Sequence, residues 1–265
     1  MIRTKKIAEH LTVFWQLLKV DLLMLKKNIH NKNINSFIWA SSTIIISSYA
    51  LPLFGTDLAY GSFIAAGVVI GCGGFIMYSE TSNFISDLEG DQHINYQLTL
   101  PLPSNLLFLK IICVYTINAI ILCCAALVTA KIVLYSRLNL SGINFLHLTL
   151  SIIVSSLFLG AFTLWAASCT KDMLSLENVF MRILYPLWVY GCFQFSWAGM
   201  VKICAPVGYL CLLNPFTYTT ESIRAAMLGQ TGSINFWYSI TALLTFSFGL
   251  GWWAIKRFKK RLDFV

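Results

Sequence analysis

The stretch Ile111–Ala130, IICVYTINAIILCCAALVTA, runs for 20 residues without an Asp, Glu, Lys or Arg. Crossing a hydrocarbon layer takes about 20 apolar residues of helix, so this stretch reads as a transmembrane span. The same signature recurs on both sides of it, at Ile34–Leu53, Gly61–Tyr78, Phe145–Cys169, Ile183–Met200 and Ile234–Ile255, again without a charged residue. Pro186 and Gly191 interrupt the fifth of the six runs. The expected fold is an all-α membrane protein of six transmembrane helices, one transmembrane domain over residues 1–265.

The whole chain agrees with that reading. Of its 265 residues 57% are apolar and 11% charged, with a mean hydropathy of +0.72, against about 45–50% and about 25% in soluble domains. Disorder, nucleic-acid binding and a secreted disulfide scaffold are excluded on the same grounds. The cysteines at 72, 113, 123, 124, 169, 192, 204 and 211 lie in or beside apolar runs with no C-x-x-C spacing, and read as small buried hydrophobes.

Net charge is +8, and its placement gives an orientation. With both ends inside, the inner segments hold 15 Lys and Arg and the outer loops only Lys131, Arg137, Lys202 and Arg224. That asymmetry puts both termini in the cytoplasm. Residues 1–33 do not read as a signal peptide. Ile7, Leu11, Phe14, Leu18, Leu22, Leu25 and Ile29 form one apolar stripe, with Glu9, Gln16, Lys19 and Lys26 opposite. A helix of that pattern lies along the inner membrane surface, as an anchor or as a platform for a cytoplasmic partner. In the second span, Gly67 and Gly71 form a small-x-x-x-small pair suited to close helix packing.

Two connections stand out. Ser79–Lys110, SETSNFISDLEGDQHINYQLTLPLPSNLLFLK, is cytoplasmic by the charge count, yet carries Glu80, Asp87, Glu89 and Asp91 and no cation before Lys110. Gly90 is placed to end an acidic helical turn, and Pro101 and Pro103 force an extended approach to a helix starting at Ser104. A rigid acidic element suits docking on another protein; a plain solvated loop is the alternative. The second connection is Ile203–Leu213, apolar, 11 residues long and broken by Pro206 and Gly208. Asn214 and Pro215 then offer an N-cap and first position for a helix that Gly229 ends after Leu228. Two helices too short to span make a re-entrant hairpin on the outer side. Glu221 and Arg224 share a face of the second, as a structural ion pair or as a contact for a polar part of a substrate.

Tyr185, Trp188, Tyr190, Phe193, Phe195 and Trp197 make a dense aromatic set in the fifth run and its exit. They are a candidate substrate path, or an interface belt and packing. No G-x-x-x-x-G-K, H-E-x-x-H or G-x-S-x-G sequence is present, and His10, His30, His93 and His147 have no ligand-spaced partners. No catalytic, cofactor or metal residue is expected. Asn139-Leu-Ser141 matches the glycosylation triplet.

The order Glu89, Gly90, Leu98, Leu100, Pro101, Lys110 after the second span, and Asn214, Pro215, Thr217, Tyr218, Glu221, Arg224 before the last, resembles the permease subunit of type-2 ATP-binding-cassette (ABC) exporters. The resemblance covers nearly the whole chain. It implies an interfacial N-terminal helix, six spans, a cytoplasmic coupling helix between spans two and three, and a re-entrant hairpin before span six. It also implies a homodimer in a bacterial cytoplasmic (inner) membrane, served by two copies of a separate P-loop ATPase that holds the ATP and Mg. Coupling would fall to Asp87, Glu89, Gly90, Asp91 and Tyr96, and the cargo would be an amphipathic lipid, lipid-linked glycan or hydrophobic drug. A non-transporting membrane scaffold explains the basic ends and acidic loop equally well, though not the hairpin. A secondary transporter would need ionisable residues in the spans.

Overall fold

A computed structural model describes residues 2–135, 137–138 and 142–262. Every regular element among them is helical. In chain order these are α1 (Ile2–Ile45), α2 (Tyr60–Gly74), α3 (Ile76–Glu89), α4 (His93–Thr99), α5 (Ser104–Leu134), α6 (Phe145–Cys169), α7 (Met173–Val179), α8 (Tyr185–Val189), α9 (Trp197–Ile203), α10 (Ala205–Cys211), α11 (Pro215–Leu228) and α12 (Phe236–Leu262). Five helical segments are long and apolar enough to cross a membrane: Glu9–Phe54, Tyr60–Glu89, Ser104–Leu134, Phe145–Cys169 and Phe236–Arg261. The chain is a multi-pass membrane protein.

The helix expected from Phe145 to Cys169 has those bounds, and Asn144 caps it by accepting from the His147 amide at 3.1 Å. No uninterrupted helix covers the fifth expected span, 183–200. Instead α7 passes through a π-helical turn, Phe180–Leu184, into α8, which stops at Val189, and α9 starts only at Trp197. Pro186 follows directly on the π-helical turn, where the wider backbone path accommodates its missing N–H; the break comes after it, in turns over 190–196.

The N-terminal segment also differs from expectation. No proline or glycine lies between residues 2 and 45, so the amphipathic stripe and the first apolar run form one continuous helix. At 44 residues it is about 66 Å long, twice what a crossing needs. The basic tail is helical as well, α12 running to Leu262. The triplet at 139–141 lies outside the described residues.

Long helices α1, α2, α5, α6 and α12 pack around a core that includes Val68, Phe108, Phe158, Phe162 and Phe258. Gly67 and Gly71 leave room for aromatic rings. A Cβ on Gly67 would lie 3.2 Å from the Phe193 ring, and one on Gly71 2.9 Å from Trp39. The two ends of the bundle collect different segments. At one, Arg261 donates to the Thr170 carbonyl (2.7 Å) and Lys110 pairs with Asp21 (2.6 Å). At the other, Arg137 donates to the Ser48 carbonyl (2.7 Å) and the Asn144 amide to that of Ala226 (3.0 Å).

Candidate functional site

One knot of polar contacts is built on α11. Asn214 caps it as expected, accepting from the Phe216 amide at 3.1 Å, and also donates to the Leu187 carbonyl at 2.5 Å. Gly229 ends it with φ +95°, a conformation that favours glycine. Ahead of α11, α9 and α10 pack on each other across a break at Cys204, so the first of the two short helices, expected over 203–213, is itself two helices that begin earlier, at Trp197.

The unwound residues 190–196 carry carbonyls that no helix satisfies, a cost of several kcal/mol for each one buried in an apolar surrounding. Arg224 meets that need. Its guanidinium donates to the carbonyls of Cys192 (2.5 Å), Phe193 (2.7 Å) and Phe195 (3.2 Å) and to Glu221 Oε1 (3.2 Å). Its carbon lies 3.6 Å from the centroid of the Phe63 ring. Glu221 in turn accepts from the amides of Trp197 and Ile234, each at 3.3 Å, tying the starts of α9 and of the approach to α12 to the same point. Thr220 donates to the Gly191 carbonyl (2.8 Å) and Thr217 to that of Cys211 (2.7 Å). Cys192 is held at φ +58°, a left-handed conformation that costs a non-glycine residue about 1–2 kcal/mol. Of the two roles open to the Glu221–Arg224 pair, the geometry supports the structural one, since Arg224 turns to the backbone of its own chain.

The aromatic set does not line one path. Trp188 and Phe193 pack with Trp39, ring centroids 5.2–6.1 Å apart. The Phe195 carbonyl faces Arg224, and Trp197 donates through Nε1 to the Gly208 carbonyl at 3.0 Å. Tyr185 and Tyr190 point outward and are exposed. Of the six, Tyr190 lines an apolar slot of about 350 Å³ between Pro186–Tyr190 and α10, with Val207, Leu210 and Asn214.

At the opposite end, α3 and α4 form a helix–turn–helix. Asp87 caps α4 from outside it, accepting from the amides of His93 (3.0 Å) and Ile94 (2.9 Å). Glu89 accepts from the Met173 amide at 3.2 Å, joining α3 to α7. Gly90 ends α3, donating its N–H to the Ser86 carbonyl at 2.9 Å. Of the five expected coupling residues, Asp91 and Tyr96 remain as exposed side chains without such internal duties.

Beneath this element lies a polar cleft of about 300 Å³, lined in part by Asp21, Lys32, Glu80, Asp87, His93 and Lys110. Lys110 is buried, paired with Asp21 and donating to Gln97 Oε1 at 2.7 Å. Lys32 pairs with Glu80, which also accepts from Asn118 at 2.9 Å. The carbonyl oxygens of Asn33 and Asn118 are buried without a partner. Sequence reading missed Asp21, although an anion at i+3 from Leu18 and i−4 from Leu25 interrupts the apolar stripe and marks a buried cation nearby. It also missed Thr217 and Thr220 as supports of the break, since nothing local marks which distant carbonyls need donors. No protein-family model, curated protein or solved structure matches the chain.

Proposed function

We propose that this chain is the membrane permease subunit of a two-component, ATP-driven exporter of the type-2 ABC class. The observation that carries the reading is the pairing of two devices on one bundle. A compact helix–turn–helix, 76–99, is tied to α1 by the Lys32–Glu80 ion pair and to α5 by the Lys110–Gln97 hydrogen bond, and at the far end a broken-helix hairpin is locked by one buried arginine. The first gives a partner something to push; the second is broken backbone at membrane depth covered by protein, a fixed support beside the slot at Tyr190.

On this reading the sixth crossing is the composite α7–π-turn–α8, residues 173–189, about 25 Å of helix at roughly 1.5 Å per residue. Positive charge puts the helix–turn–helix and both termini in the cytoplasm of a bacterial cell, and the hairpin outside. The chain itself has no P-loop sequence, so ATP acts through two ATPase subunits docked at Asp91 and Tyr96 of a homodimer. Their closure shifts the permease between two states only by binding those states unequally. An amphipathic cargo such as a lipid, lipid-linked glycan or hydrophobic drug would use the slot beside Tyr190.

The test is a pull-down of the tagged chain from its own cells in mild detergent, repeated with Asp91→Lys plus Tyr96→Ala. A stoichiometric P-loop ATPase that is lost from the double variant supports the reading. A clean permease in both preparations would move the assignment to a membrane scaffold.

A further inference from the structure

A second, apolar groove of about 510 Å³ runs between α5, α6 and α12, away from both polar knots. Its walls are Leu109, Ile112, Leu157, Ala161, Phe248 and Trp252, and it is open along one side. From Ser247 to Lys259 it follows α12 for about 18 Å, close to the roughly 15 Å of hydrocarbon in one leaflet. The polarity changes at one end only. There Asn105, Lys256 and Lys259 close the groove, just past Ile255, the last apolar residue of its α12 wall. Neither lysine has an ion-pair partner among the described residues. The Lys256 ammonium rests 5.0 Å from the centroid of the Trp252 ring.

We infer that this groove is a binding site for an anionic phospholipid of the inner leaflet. One acyl chain lies along Phe248, Leu157 and Ile112, and the phosphate is held by Lys259 and Lys256. Charge complementarity selects the occupant: an apolar slot of one-leaflet length with two uncompensated cations at its mouth matches an acyl chain ending in a negative headgroup. The site also explains why the basic end of α12 is helical rather than an unstructured tail, since only a helix places Lys256 and Lys259 on one face, three residues apart. Arg257 and Lys260 line a neighbouring groove beside Trp253, on the other side of the Trp252 and Lys256 side chains that the two grooves share. The inference rests on the membrane reading and is independent of any ATPase.

The test uses the purified full chain in nanodiscs of phosphatidylcholine containing phosphatidylglycerol, with retained lipid counted by native mass spectrometry. The wild type should retain phosphatidylglycerol over phosphatidylcholine, and Lys259→Gln should lower that retention about fivefold. Lys260→Gln, an equal loss of charge outside the groove, should change it less than about twofold. Gly251→Leu provides an uncharged check. Its Cβ would sit at ordinary contact distance, 3.5 Å from Ile112 and 3.8 Å from Ala161, and the longer chain would fill the groove and displace the lipid with both lysines intact. Equal losses for Lys259→Gln and Lys260→Gln would mean diffuse attraction to a basic tail and overturn the site. Full retention in Gly251→Leu, or a change there in oligomeric state alone, would give the face to another copy of the chain.

Discussion

Arg224 and Lys110 are both buried cations in an apolar helical bundle, each only 1% exposed, but their surroundings differ. The partner of Arg224 is 1% exposed, and both terminal nitrogens of the guanidinium donate to carbonyls of its own chain, its Nε alone being buried without a partner. The partner of Lys110 is 20% exposed and lines an open polar cleft of about 300 Å³. A closed network in a low-dielectric setting has one good arrangement and is costly to disturb. One open on the Asp21 side, where water can reach the carboxylate, has neighbouring arrangements closer in energy. The knot on α11 is therefore expected to be the fixed point of the molecule, and the helix–turn–helix 76–99 the element able to move.

Substitutions can break or sharpen that contrast. The largest effect is expected for Arg224→Leu, which strands Glu221 and three backbone carbonyls. A loss of about 3–5 kcal/mol should show as a collapse of folded yield and melting temperature in detergent. Arg224→Lys should recover only part of it, because an ammonium cannot serve the spread of acceptors that the guanidinium fork reaches. Lys110→Met should cost less, about 1–3 kcal/mol, because water reaches Asp21. A double-mutant cycle with Asp21→Asn should find the two sites coupled, whereas Lys110→Met with Arg224→Lys should be additive. A coupling between the two ends would contradict their independence.

Smaller still is the effect at the helix–turn–helix surface. Asp87→Ala removes the two bonds that start α4 and should cost about 1 kcal/mol, like the loss of an N-cap. Asp91→Ala, exposed and outside those bonds, should stay within about 0.5 kcal/mol of the wild type. Equal melting shifts for the two would show that Asp87 is not the cap the geometry makes it. This pair also separates docking from folding: a coupling defect is expected from Asp91 and Tyr96 without loss of stability.

Much of the frame was legible in the residues, and the reasons are physical. Apolar runs free of charge and breakers, at 111–130 and 145–169, can satisfy their backbone only as helices, so α5 and α6 appear where expected. Asn214, Pro215 and Gly229 mark the ends of α11 because caps act locally. The stretch 183–200 misled because composition alone reports an apolar run, while the path of its backbone depends on Arg224, a donor distant in sequence. Continuity of α1 was readable in the absence of any breaker, yet the switch from polar to apolar at Ile34 suggested a boundary. Asp87 and Asp91 are alike in sequence, and only the fold gives one of them two amides to hold.

The most direct test of the central claim is hydrogen exchange on the complex purified from the chain's own cells, compared with and without ATP. The account predicts that nucleotide changes protection over residues 79–99 while 215–228 stays slowly exchanging in both states. No ATP-dependent change at 79–99, or a larger one at 215–228, would contradict it.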